Sequence, residues 1–460
     1  MCKGALAMVG RFAGTPLAVL LVACTSTTPR DTSSGSLSLS PSPARPSAAP
    51  PLFASSPAVP SDAPSPSALR RLTLTEVHEL VQSLSSRRLA AASFHPVEAR
   101  SRVEQAGLWP NPYVMLRKRE VSDFDLIDSG MSELEVGQPF ELGGKRAARV
   151  DSLRAESDVA EASFGAACAE TLRDAEEQFT KVLRLQEEIE LVRVEAETAS
   201  ALAVLVEARH EAGRESRVVL LERQSEAERA RLQVQDLERE HSRACRELDD
   251  LLGLTAGTTL GVEGDWQEVC HAAPDREQTL AALASHPRRV AAELSVTAAE
   301  RAQRRAEADV WPDLMVGVAY EHREETEDDL LGCYVSVPLP LWDRRQGLRS
   351  ESRAAAARAR STLEAETLEL TVALEAAWLT FERARHNVTG YEEDILPRLE
   401  ESLVLTRQAH DAGRASRIEV LESELILFRA RQQRLRHRED QARAAAEIRY
   451  LVAGDPPPAS

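Results

Sequence analysis

Two stretches 200 positions apart nearly repeat each other, and they limit what this chain can fold into more than any other feature. The first reads His210-Glu211-Ala212-Gly213-Arg214-Glu215-Ser216-Arg217, the second His410-Asp411-Ala412-Gly413-Arg414-Ala415-Ser416-Arg417. Each sets one glycine between long segments poor in Gly and Pro, the mark of a tight turn between two helices. Between Gly144 and His210 there is no proline and one internal glycine, Gly165. A helix of that length extends ~100 Å at ~1.5 Å per residue. Residues 214–252 lack both breakers, and the short turn makes the two helices antiparallel. The second half repeats the plan around Gly413. Its first helix is locally disturbed by Gly390 and Pro397, and its last runs over 414–453.

Ahead of each hairpin comes a helix with a Trp-Pro stop, then two short runs. Helix 72–108, interrupted or kinked near His95-Pro96, ends at Trp109-Pro110; helix 277–310, with Pro287 inside it, ends at Trp311-Pro312. Strands are predicted at about 112–120 and 131–139, and again at about 313–323 and 330–338. Leu134 and Val136 alternate with Glu133 and Glu135; Leu314, Val316, Val318 and Tyr320 share a face, as do Leu331, Cys333, Val335 and Val337. Period-two alternation of this kind gives a strand two unlike faces. An irregular region around Gly257, Gly261, Gly264 and Trp266 closes the first half, so the repeats span 69–265 and 266–455. Strands of about ten residues cross a bilayer when tilted. Four strands alone close no barrel and leave unpaired edges in lipid, so the chain must oligomerise. Three copies give about twelve strands, enough to enclose a lumen.

Composition sets the outer bounds. The net charge of −18 and the lack of a basic stripe argue against a nucleic-acid partner. With 28% charged and 4% aromatic residues, the chain suits long helices better than a compact α/β enzyme. No body segment holds about 20 consecutive apolar residues, so any membrane crossing falls to strands. Residues 1–23 have a signal-peptide layout, ending Leu21-Val22-Ala23-Cys24, which resembles a bacterial lipobox with Cys24 as the lipidated residue. Residues 24–68 hold ten prolines and few large apolar side chains, and read as a disordered tether. Cys168, Cys245, Cys270 and Cys333 show no metal-ligand spacing and read as small buried residues. No metal site, cofactor or catalytic constellation is expected.

Over residues 72–453 the chain resembles the TolC-type outer-membrane efflux channel family. Gln105-Ala106-Gly107-Leu108-Trp109-Pro110-Asn111-Pro112 and Gln138-Pro139-Phe140-Glu141-Leu142-Gly143-Gly144-Lys145-Arg146 are most similar to its heavy-metal efflux branch. The resemblance implies a mainly α fold with transmembrane β: helical hairpins forming a periplasmic tunnel, and four strands per chain in a trimeric, twelve-stranded barrel. It implies a passive exit channel for metal cations or small toxic compounds. The implied partners are a second and third copy, a periplasmic adaptor, an inner-membrane pump of the resistance-nodulation-division type, and outer-membrane lipid. The Asn-Pro usual at one helix start is replaced by Leu84-Ser85 in the first half and His286-Pro287 in the second. A periplasmic scaffold lipoprotein without a pore, and a channel for drugs or secreted proteins, are the competing readings.

The candidate sites follow the same geography. The tips, Gly213, Arg214, Ser216 and Arg217 with Gly413, Arg414, Ser416 and Arg417, are expected to dock the adaptor. Glu419 and Glu422, three apart on one helix face, occupy positions where the family lines its closed entrance with acidic rings. His410 stands where the family often has a tyrosine of the gate, and Ala415 where it often has an arginine. Glu133 and Glu135 are expected in the barrel lumen, where they would favour cations.

Overall fold

The computed structural model describes residues 70–119, 131–271, 276–323 and 328–452. The expected signal peptide, Cys24 and the tether lie outside these residues. In chain order the first half comprises β1 (Arg70–Leu72), α1 (Leu74–Gln82), α2 (Arg87–Ala92), α3 (Phe94–Ala106), β2 (Tyr113–Arg119), β3 (Met131–Phe140), α4 (Lys145–Glu211), α5 (Arg217–Leu252) and β4 (Thr259–Val262). The second comprises α6 (Trp266–Val269), α7 (Arg276–Ala282), α8 (Pro287–Ala308), β5 (Leu314–Arg323), β6 (Asp328–Ser336), α9 (Gln346–Gly390), α10 (Leu396–Asp411) and α11 (Arg417–Val452). The two halves thus share a helix–strand–strand–helix–turn–helix plan.

The 67-residue α4 forms as one uninterrupted helix. Its buried side chains recur every three or four residues from Ala175 through Phe179, Val182, Ile189, Val192 and Leu202 to Val206, the spacing that keeps one stripe of a helix against its neighbours. It packs on α5, α8 and α11, and α11 in turn packs on α9. The counterpart of α4 in the second half is broken. Five residues, Tyr391–Ile395, form a π-helical turn between α9 and α10. Pro397 falls just behind it, in the first turn of α10; it has no N–H to give the preceding turn, and a widened π turn is one way a helix absorbs such a break in its ladder.

Prolines mark first turns elsewhere too, and the helix expected to be interrupted or kinked near His95-Pro96 is interrupted at Ser93. Pro96 lies in the first turn of α3, and Pro287 is the first residue of α8. Helix 72–108 is therefore three helices, and helix 277–310 is two with a 3₁₀ turn, Leu283–Ser285, between them. The link before α2 includes Leu84 at φ +54°. The region expected to be irregular holds a small sheet: β1 pairs with β4 in parallel. Around it Leu72, Phe179, Leu185, Leu248, Leu252 and Trp266 form the largest apolar core.

The other sheet is antiparallel throughout, in the order β2-β3-β5-β6. Its register puts Val114, Val136, Val318 and Cys333 in one row and Leu116, Leu134, Tyr320 and Leu331 in the next. These residues face one way. Tyr113, Gly137, Gly317 and Tyr334 form a row facing the other way, followed by Met115, Glu135, Ala319 and Gly332, then Arg117, Glu133, Glu321 and Leu330. Strands β2 and β6 each pair on one side only among the described residues.

Candidate functional site

Both hairpin tips close with the same hydrogen bonds. Gly213 and Gly413 each sit at φ +69°, in the left-handed region that costs a residue with a Cβ about 1–2 kcal/mol. The Arg214 N–H donates to the Arg209 carbonyl at 2.9 Å and the Gly213 N–H to the His210 carbonyl at 2.9 Å. At the second tip the Arg414 N–H donates to the Ala409 carbonyl and the Gly413 N–H to the His410 carbonyl, both at 2.8 Å. Paired bonds of this kind satisfy the last carbonyls of a helix while reversing the chain. Ser216 then caps α5, its hydroxyl accepting the Val219 N–H at 3.3 Å. Ser416 does the same at the start of α11 through the Glu419 N–H at 3.4 Å.

The histidines belong to this fastening. Nδ1 of His210 lies 2.9 Å from the Glu215 carbonyl, and Nδ1 of His410 lies 3.0 Å from the Ala415 carbonyl. A carbonyl only accepts, so each Nδ1 carries the proton. His410, expected at the gate, holds its own turn as His210 does. The five-residue spacing from His to the accepting carbonyl is identical in both halves and was the available signal for this role.

Glu419 and Glu422 are not left as a bare acidic pair. The Glu419 carboxylate accepts the Ser416 N–H at 3.1 Å, completing a reciprocal cap that Val219 cannot supply in the first half. That backbone bond, with help from the Ser416 hydroxyl, holds the carboxyl below its usual range. Glu422 accepts from Arg223 of α5 at 2.6 Å, and Arg223 also reaches Glu226 at 2.9 Å. The pair ties the two hairpins together close to their tips, over an apolar cluster of Leu202, Val206, Leu421 and Leu425. Arg214, Arg217, Arg414 and Arg417 are exposed. None of them makes an ion pair to another described residue. Beside the second tip, a cavity of about 560 Å³ opens between α10 and α11, lined by Arg398, Glu401, Leu405, Arg414 and Glu419 among others.

The family-like motifs meet where sheet and helices join. The Gln138 side-chain amide donates to the Pro110 carbonyl at 2.9 Å. Arg146 donates to the Gly107 carbonyl at 2.6 Å and stacks over the Trp109 ring at 5.0 Å. Arg149 reaches the Ala106 carbonyl at 3.0 Å as well as the Glu141 carboxylate. Lys145 pairs with Asp313 at 2.7 Å. Gly143, at φ +69°, lies against Trp311 so closely that a Cβ there would overlap the indole. These residues are the joint of the molecule, a role the sequence reading reduced to helix stops.

The first face of the sheet is apolar and bare. Val114 is 67% exposed, Leu116 81%, Leu331 80% and Val335 67%. Cys333 lies on this face and is exposed, against the expectation of a buried thiol; Cys245 is buried, with its thiol pushed up to about 11 by burial and Asp249. On the opposite face Arg117 reaches Glu133 at 2.9 Å. Next to them the Tyr113 hydroxyl donates to Glu135 and contacts the Tyr334 hydroxyl. Among the described residues no helix is long and apolar enough to cross a membrane, and no group of His, Cys, Asp and Glu could hold a metal ion.

An antiparallel sheet that is apolar on one side, polar on the other and open at both edges, joined to helices of this length, defines a membrane channel with a long helical stalk. The chain belongs to the outer membrane efflux protein family, whose sequence pattern matches residues 82–254 and 280–454, one match in each repeat. It is an outer-membrane efflux channel of the TolC type, in a family of channels and not of enzymes. It is 25% identical over 348 residues to the cobalt-zinc-cadmium resistance protein CzcC of Cupriavidus metallidurans, covering 75% of this chain and 81% of that protein. Its fold is similar to that of CusC (TM-score 0.69, 14% identity, 86% of this chain and 96% of CusC). It is also similar to VceC from Vibrio cholerae (TM-score 0.65, 16% identity, 82% of this chain and 95% of VceC).

Proposed function

We propose that three copies of this chain form the exit duct of a tripartite metal efflux system. Each copy gives four strands to a barrel of about twelve, and its helices build a tunnel reaching ~100 Å into the periplasm. The observation that carries this is the sheet: its bare apolar face needs lipid, and its two open edges need neighbouring copies. Cobalt, zinc and cadmium are the substrate class, from the likeness to CzcC. Glu133 and Glu135 face the lumen in this arrangement. Cys24 carries the lipid anchor, which fatty-acid labelling lost in Cys24→Ser would support.

The tips Gly213, Arg214, Ser216, Arg217, Gly413, Arg414, Ser416 and Arg417 meet a periplasmic adaptor, which links the duct to an inner-membrane pump. Four exposed arginines at matching places suit an acidic adaptor surface. Glu419, Glu422 and His410 form the closed entrance, with Arg223 holding Glu422 in place within each copy. Changing Arg214 and Arg414 together to Glu should lower resistance to zinc and cadmium in whole cells while the solubilised protein still runs as a trimer. Full resistance in that variant would remove the tips from the docking surface; a variant that no longer runs as a trimer would give these arginines a role in assembly and not in docking.

A further inference from the structure

The polar face of the sheet carries Glu133, Glu135 and Glu321, and their surroundings differ. Glu133 meets the Arg117 guanidinium at 2.9 Å. Glu321 meets Arg323, two residues along β5, at 2.7 Å. Each of these charges has an opposite one beside it. Glu135, midway along β3, has the Tyr113 hydroxyl, which is itself in contact with the Tyr334 hydroxyl. No ion pair joins Glu135 to another described residue. A phenol O–H orients a carboxylate but leaves its charge in place.

Two glycines make this arrangement possible. A Cβ at Gly137 would stand 2.6 Å from the Tyr113 ring, and one at Gly317 would come closer still to the Tyr334 ring. Both rings therefore lie over the wall of the sheet, with their hydroxyls turned toward Glu135 and their bulk kept close to the backbone. Gly332 stands in the same row as Glu135, with no large side chain above it.

The geometry points to Glu135, and not Glu133 or Glu321, as the residue that makes the barrel select cations. This rests on the channel reading. Three copies would set three carboxylates without an ion-pair partner of their own at one height of the lumen, in the manner of the acidic rings of cation pores, while the Arg323–Glu321 pair and the Arg117–Glu133 pair, whose guanidinium acts on Glu135 only from a distance, add no net charge.

The test uses the full-length protein in planar bilayers, with reversal potentials read in a potassium chloride gradient. Glu135→Gln should bring the potassium-to-chloride permeability ratio down toward unity. The double variant Arg117→Gln with Glu133→Gln should keep the wild-type ratio. Glu135→Cys, in a Cys333→Ser background, adds a readout in channels already seen to conduct: a sulfonate-bearing thiol reagent should restore cation preference and an ammonium-bearing one reverse it. An unchanged ratio in Glu135→Gln, or no difference between the two reagents, would overturn the assignment while leaving the channel intact. Wild-type protein that carries no current would overturn the channel reading and this inference with it.

Discussion

Glycine at the two tips is required by the backbone and not by space. Nothing lies within 4 Å of where a Cβ would stand at Gly213 or Gly413, yet both have φ +69°. The turn could therefore be read from sequence, since a left-handed cap selects Gly whatever surrounds it. Roles set by contact were not readable in this way. His286 is fully buried as the N-cap of α8, with Nδ1 accepting the Arg288 N–H at 3.3 Å and its ring edge-on to Tyr450 at 4.9 Å. Burial, and secondarily the Arg288 charge, push this imidazole from the ordinary 6.5 down to about 4. The unfolded chain then takes up a proton that the folded chain refuses, so stability is flat above pH ~6.5 and falls as pH drops from ~6.5 toward ~4. The full loss is about 3 kcal/mol. His286→Asn keeps a cap acceptor without the titration, and its thermal midpoint should depend less on pH over that window; an equal slope would contradict this account of His286.

At the scale of elements, length and alternation were legible and junctions were not. α4 was readable because a run of 67 residues with no Pro and one Gly, Gly165, has no cheaper conformation than helix once a stripe of it is buried. The sheet was readable because Leu314, Val316, Val318 and Tyr320 alternate through a whole strand. Pro96 and Pro287 each marked a break, since proline suits the first turn of a helix, but the further break at 83–86, before α2, carries no proline and was not legible. β1 and β4 span three and four residues, too short for any period to show, and they exist because Leu72 and Val262 share the core with Phe179. The two faces of the large sheet give a direct contrast. Val318→Arg places a charge at the centre of the apolar face, costing about 2–4 kcal/mol in a bilayer, and should deplete the assembled protein in the outer membrane. Ala319→Arg, one residue along on the polar face, should assemble at near wild-type levels. Equal loss from both would mean that the apolar face does not meet lipid.

For the whole molecule, the repeat has a different use at each end. Near the membrane the two halves contribute equivalent strand pairs, β2–β3 and β5–β6, to one sheet. At the far end they give two tips with the same glycine cap and the same histidine fastening. Only the second tip adds the Ser416–Glu419 cap and, through Glu422, the bridge to Arg223 of the first hairpin. The sequence disclosed the duplication, but not that Glu422 spends its charge on the other half of the same chain, because a contact spanning 199 positions leaves no local trace. The central claim is that this sheet closes with its copies into a water-filled pore. Single-channel recording of the purified full-length protein in a planar lipid bilayer tests it most directly. Discrete, ohmic conductance steps are the predicted result; a protein that binds or inserts into the bilayer without conducting would contradict it.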